Sequence, residues 1–239
     1  MKLVVINYGS GNLHSVAKAF ERASLDSGWN GQVTVSDDPA QVRSADYIVL
    51  PGVGAFGDCA RGLSLVDGMR EALHEAVQER RRPFLGICVG MQLMADAGFE
   101  HGRQQGLGWI GGEVVEIERS DPLSKIPLMG WRIPHMGWND LILDRGRSHP
   151  VFAGLDNKRW WRRILRCIHL PVGTDGHGYF VHSYHFIARN PAHLLAHIDY
   201  GGPVTAAIGR DNMLGVQFHP EKSQALGLRL LANFLGWKP

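Results

Sequence analysis

The sequence predicts an α/β fold: an open, mostly parallel sheet flanked by helices, with an antiparallel extension. Three observations carry this reading. Through the first half of the 239 residues, apolar β-rich runs alternate with helix-periodic segments, the pattern of a parallel sheet covered on both faces. Beyond Gly111 the strand-like runs become short and follow one another closely, as antiparallel pairing requires. With 44% hydrophobic and 20% charged residues, the chain can bury a sizeable core.

Taken in order, Lys2 to Ile6 reads as a first strand, because its apolar run stops at Asn7 and a Gly-rich turn follows. Leu13 to Ala23 has helical periodicity, Val33 to Val35 and Tyr47 to Leu50 are strands, and Leu63 to Arg80 is a second long helix. Pro83 to Ile87 closes the parallel half. The short strands are Glu113 to Glu118, Asp140 to Leu143, Gly178 to His185, Leu194 to Ile198, Val204 to Gly209 and Met213 to Phe218, all read as extending the same sheet. In Ser223 to Leu235, residues Leu226, Leu230, Leu231 and Phe234 recur at helical spacing and predict a last helix packed on the sheet. The whole chain, 1–239, is read as one unit with an insertion at about 157–176, where KRWWRRILRCIHL lies between polar turn residues. The tandem echo IPLMGW and IPHMGW, Ile126 to Trp131 and Ile133 to Trp138, is read as a local duplication in a loop.

Composition narrows the function. A net charge of +2, with cations scattered apart from local clusters at Arg80 to Arg82 and Lys158 to Arg166, is not enough to argue for a nucleic-acid partner. No apolar stretch approaches the length that spans a bilayer, and the amino terminus lacks a secretory pattern, so a cytoplasmic protein is expected. Three cysteines without paired spacing predict neither a disulfide framework nor a zinc site. His193 and His197 bracket a strand-like run and read as structural, so no metal is expected. YGSGN at Tyr8 to Asn12 lacks the third glycine and the ribose-binding acid of a dinucleotide loop. No cofactor is expected either.

The chemistry gathers at Cys88. In PFLGICVGMQ a strand ends, a cysteine follows, and a helix-compatible run VGMQLMADA begins, with Gly86 and Gly90 two residues to either side. This is the layout of a nucleophile elbow, where small flanking residues let a tight, strained turn hold the nucleophile out from the sheet. The Val89 N–H would face an oxyanion at the attacked carbonyl. A lone cysteine is more often a core residue; the paired glycines weigh against that here. A thiol needs a base, and GVQFHPEKS offers His219 after an apolar strand. Glu221, two positions on and so on the same side of an extended chain, would fix its tautomer. The Gly-rich run VLPGVGAFGDC, with Gly52, Gly54 and Gly57, can supply a second oxyanion donor.

GICVGMQ with a downstream HPE resembles the class I, triad-type glutamine amidotransferase family, whose fold is flavodoxin-like, over nearly the whole chain. Within it, INYGSGNLHSV, LPGVGAFGDC, GLGWIGGEV, PHMGWN, YFVHSYHF and GVQFHPEKS are similar to the glutaminase subunits of histidine biosynthesis. The resemblance implies that Cys88, His219 and Glu221 form a triad that hydrolyses L-glutamine through a γ-glutamyl thioester. It further implies that Gly52 and Val53 form an oxyanion strand, and that Gln92 and Glu100 contact the substrate. His182, Ser183 and Tyr184 would hold the α-carboxylate through main-chain contacts. It also implies a (βα)8-barrel cyclase partner, faced by Asn12, Trp138 and Lys222, that receives the ammonia.

Overall fold

The computed structural model describes residues 1–117, 133–143, 149–155 and 177–239. The expected insertion at 157–176 and the first copy of the tandem echo lie outside the described residues. In chain order the first half runs β1 (Lys2–Ile6), α1 (Leu13–Ser27), β2 (Gln32–Ser36), α2 (Pro39–Arg43), β3 (Tyr47–Gly52), α3 (Phe56–Leu65) and α4 (Met69–Leu73). A π-helical stretch (His74–Glu79) leads to β4 (Phe84–Cys88) and to the four-residue α5 (Val89–Gln92). After these come β5 (Ala97–Gly98), β6 (Gln104–Gln105), β7 (Gly112–Glu116), β8 (His135–Asp140) and β9 (Ile142–Leu143). The remainder is β10 (His177–His182), β11 (Tyr184–Ala188), β12 (Leu194–Asp199), β13 (Pro203–Arg210), β14 (Met213–Val216) and α6 (Gln224–Gly236).

Among the described residues, eight strands form the main sheet in the order β2-β1-β3-β4-β14-β13-β12-β9. From β2 to β14 every pairing is parallel, and from β14 onward every pairing is antiparallel. The predicted parallel half and its antiparallel extension are both there. Central strands β3 and β4 are buried at every residue, which is why they read as continuous apolar runs and not as alternating ones. α1 buries Val16, Phe20 and Ala23 along one stripe and packs on α6, with Phe20 meeting Phe234 edge-on at 6.1 Å. Gly28 caps α1 in the left-handed region at φ 69°, a conformation glycine adopts without a Cβ penalty.

Four expectations change. The long helix over Leu63 to Arg80 is two helices and a π stretch, interrupted where Val66 is extended and Gly68 takes φ 72°. The helix after Cys88 stops at Gln92. The carbonyls of Leu93 and Met94 turn instead to the N–H groups of Leu107 (2.7 Å) and of Trp109 and Ile110 (each 3.0 Å), which a continuing helix could not serve. From His135 onward the second copy of the echo is strand β8, not a loop. Finally, not every short strand extends the main sheet. The expected run from Gly178 to His185 is cut at Ser183, whose carbonyl takes the Ile117 N–H at 2.9 Å. Its first part, β10, pairs with β8, and its second, β11, joins a four-stranded sheet β11-β7-β5-β6.

Candidate active site

Three neighbouring strands deliver the site to one edge of the sheet. β3 ends at Gly52, β4 at Cys88, and β14 leads into Gln217 and His219. Backbone pairing sets Gly52 opposite Cys88 and Val216 opposite Ile87, so the sheet itself fixes how these groups stand to one another. This is the carboxyl end of the parallel strands, where open α/β sheets place their ligands.

Cys88 sits at φ 55°, ψ −113°, a strained conformation for a residue with a side chain and the mark of a nucleophile elbow. The glycines around it are there for space. A Cβ on Gly90 would lie 1.8 Å from the Leu50 carbonyl oxygen, and one on Gly86 would lie 2.6 Å from the Gly90 oxygen. A Cβ on Gly52 would lie 2.7 Å from the Tyr8 hydroxyl, which itself donates to the Pro51 carbonyl at 2.8 Å. The Val89 N–H is the first of α5, so its position gives it no carbonyl partner one turn back.

His219 is 5% exposed, and its Nδ1 meets Glu221 Oε1 at 2.9 Å. That contact leaves Nε2 for Cys88. Burial pushes the His219 imidazolium toward deprotonation, but hydrogen bonds and charge from Cys88 and Glu221 outweigh it and hold its pKa up at about 10. Glu221 reaches the ring from the 3-10 turn Pro220–Lys222, not from extended chain as the two-residue spacing implied. Ser223 locks the turn by donating to the His219 carbonyl at 2.6 Å while accepting the Tyr179 N–H at 3.0 Å.

A cavity of about 310 Å³ opens over the sulfur. It is lined by Val53, Gly54, Cys88, Val89, Gln92, Glu100, Pro134, Val181, His182, Ser183, Tyr184, His219 and Lys222. The structure therefore brings together every expected catalytic, oxyanion and substrate residue except two. Gly52 backs the cavity through its pairing with Cys88, and Glu221 stands behind His219. Glu100 Oε2 accepts the Phe56 N–H at the start of α3 at 2.8 Å. Gln92 is buried, with its Nε2 donating to the Tyr184 carbonyl at 3.1 Å and to Gln217 Oε1 at 3.0 Å. Burial pushes His182 down to about 3 and His135 down to about 4. The neutral His182 ring turns Nδ1–H to the same Tyr184 carbonyl at 2.9 Å, with Nε2 3.4 Å from His135 Nδ1.

Val53 is half exposed, and its peptide is engaged on both sides. Its N–H donates to Ser10 Oγ at 3.0 Å, and its carbonyl accepts from Ser10 Oγ at 2.7 Å and from Cys59 Sγ at 3.4 Å. Of the expected partner-facing residues, Trp138 and Lys222 come together on Tyr179. The Trp138 ring meets the Tyr179 ring at 5.3 Å, and Lys222 Nζ lies 5.6 Å from it. Asn12 stands at the start of α1, where its carbonyl accepts the Val16 N–H at 3.0 Å, and α1 packs against the Pro220–Lys222 turn. Ser10, Cys59, Gln217 and Ser223 lie inside the strings INYGSGNLHSV, LPGVGAFGDC and GVQFHPEKS, but no role is read for them there. Only Gln217 was accessible to spacing, being two residues before His219 on the same strand face.

Residues 4–236 match the model of the glutamine amidotransferase class-I family, and the chain belongs to that family. Within it, the chain is 54% identical over 239 residues to the imidazole glycerol phosphate synthase subunit HisH of Rhodospirillum rubrum. It is 51% identical over 240 residues to the protein of the same name from Mesorhizobium japonicum, and both matches cover 100% of each chain. Among solved structures, a glutamine amidotransferase is similar with a TM-score of 0.63 at 15% identity, covering 98% of this chain and 99% of that one. A glutamine amidotransferase from Thermotoga maritima is similar with a TM-score of 0.53 at 14% identity, covering 92% of this chain and 76% of that one. These two show the shared fold.

Proposed function

We propose that this chain is the glutaminase subunit of imidazole glycerol phosphate synthase. It hydrolyses L-glutamine to L-glutamate and ammonia, and passes the ammonia to a (βα)8-barrel cyclase. That partner forms imidazole glycerol phosphate and the aminoimidazole carboxamide ribonucleotide in histidine biosynthesis. The chain acts as one amidotransferase unit in the cytoplasm. The observation that carries the chemistry is Cys88 on its left-handed elbow beside a His219 ring whose other nitrogen is held by Glu221. Full-length identity to the HisH subunits supports the pathway.

In the proposed reaction the Cys88 sulfur attacks the side-chain amide carbon of glutamine, and the carbonyl electron pair moves onto oxygen. His219 then donates its proton to the amide nitrogen as the C–N bond breaks, which releases ammonia and leaves the γ-glutamyl thioester. Water, deprotonated by the now neutral His219, attacks the thioester, and collapse frees glutamate and returns the Cys88 thiolate with His219 protonated again. Glu100 receives the substrate ammonium, and main-chain N–H groups of Ser183 and Tyr184 receive its α-carboxylate. The oxyanion is met by the Val89 N–H and, once its peptide turns, by that of Val53. The Ser10 bond to the Val53 N–H supports a resting state with the second donor withheld. Trp138 and Lys222 face the cyclase.

The test measures glutamate release with and without the cyclase and its ligand, in wild type and in Cys88→Ala. Low turnover alone, a large rise with the liganded cyclase and none in the alanine variant are expected. Glutamate release surviving in Cys88→Ala would overturn the mechanism.

A further inference from the structure

Gln217 has no exposed surface, and a buried amide must find partners for its donors and acceptor. Its Nε2 lies 3.6 Å from Cys88 Sγ, within reach of a hydrogen bond to sulfur, and its Oε1 accepts from Gln92 Nε2 at 3.0 Å. The direction of this chain is fixed from its far end. The Tyr184 carbonyl can only accept, so the group Gln92 presents to it is its NH₂. The second hydrogen of that NH₂ then donates to Gln217, which must turn its oxygen toward Gln92 and its nitrogen toward the sulfur. The Gln217 backbone N–H is tied to the Ala206 carbonyl at 2.9 Å, so the side chain starts from a fixed strand.

We infer that Gln217 is a further residue of the catalytic machinery, which donates a hydrogen bond to the Cys88 thiolate and ties the sulfur to the turn that receives the substrate carboxylate. This rests on Cys88 being the nucleophile. An N–H aimed at sulfur favours the anion over the neutral thiol, since a hydrogen bond to a charged acceptor is stronger than one to a neutral group. Each amide in the series Tyr184 carbonyl, Gln92, Gln217 and sulfur polarises the next. A ligand that draws on Gln92 or on the turn at Ser183 and Tyr184 therefore alters the donor that the sulfur meets. His219 works from the other side of the same atom, as the proton carrier.

The experiment follows alkylation of the Cys88 peptide by iodoacetamide against pH in wild type, Gln217→Met and Gln217→Glu, together with glutaminase kinetics in the presence of the liganded cyclase. Methionine keeps the volume and removes the donor. The midpoint of the profile is expected to rise by about one pH unit, and kcat to fall about tenfold with a smaller change in KM. Glutamate sets a carboxylate against the thiolate and moves the midpoint further in the same direction. It also keeps size and polarity, and so carries the test if the methionine variant does not fold. A profile that overlays wild type, in a variant with wild-type circular dichroism, overturns the inference. Glutamate release that survives in Cys88→Ala instead overturns the reading beneath it, so the two failures are distinguishable.

Discussion

At the scale of single residues, the site depends on a few side chains whose partners are already in place. His219 shows this most directly. Its folded pKa, about 10, lies above the ordinary histidine value of 6.5. A group raised in this way stabilises the folded state fully below its unfolded pKa, and the contribution disappears as pH climbs through the folded value. Thermal unfolding is therefore expected to show Tm falling between about pH 6.5 and 10 in wild type. The slope should be shallower in Glu221→Gln, where a neutral amide replaces the carboxylate that, after Cys88, holds the charge. A variant with the same slope as wild type would show that Glu221 does not hold the imidazolium. The same arrangement keeps His219 protonated at neutral pH, the form that the proposed proton transfer to departing ammonia requires.

Elements bring those residues together, and here glycines matter more than hydrogen bonds. α5 lies so close to β3 that a single methyl on Gly90 collides with the Leu50 carbonyl. Gly90→Ala is expected to cost about 3 kcal/mol or more and to abolish glutaminase activity, because backbone cannot yield as a flexible side chain does. Denaturant unfolding and glutamate release together check this; a soluble variant within 1 kcal/mol or so of wild type would refute it. Much of this level was legible in the sequence. GICVGMQ announced the elbow, HPE the pairing of His219 with Glu221, and the uninterrupted apolar runs the buried parallel strands. What was not legible was set by tertiary context. Nothing local in YFVHSYHF says that its two parts pair with different strands on either side of Ser183. VGMQLMADA has helical residues throughout, yet its last carbonyls find loop N–H groups instead. Gln217 stands in the same register as His219, but a glutamine on an apolar strand announces no chemistry until the sulfur is seen beside it. Ser10 and Cys59 stand 43 and 6 residues from the Val53 peptide they hold, and contacts across a fold leave no periodic trace.

For the molecule as a whole, the proposed resting state makes activity a matter of when the Val53 peptide leaves Ser10 and turns. Ser10 follows β1, Val53 follows β3 and Cys59 lies in α3, so one small cluster joins three segments beside the cavity. Removing the hydroxyl in Ser10→Ala is expected to raise unstimulated turnover about tenfold and to shrink the stimulation by liganded cyclase by a similar factor, as befits loss of a bond worth about 1 kcal/mol. Unchanged basal turnover would place the restraint elsewhere. The pairing of β4 with β14 has another consequence, in time. Cys88 and its neighbour Gln217 are 129 residues apart in sequence, and parallel pairings of such long range form late because the intervening chain must first be closed into a loop. A ribosome that has made the elbow has not yet made His219, Glu221 or the strand that carries them. From the making of the elbow until β14 and the turn after it are made, the nascent chain holds the Cys88 thiol without the His219–Glu221 pair, and the site is complete only when the segment from Met213 onward has emerged and docked.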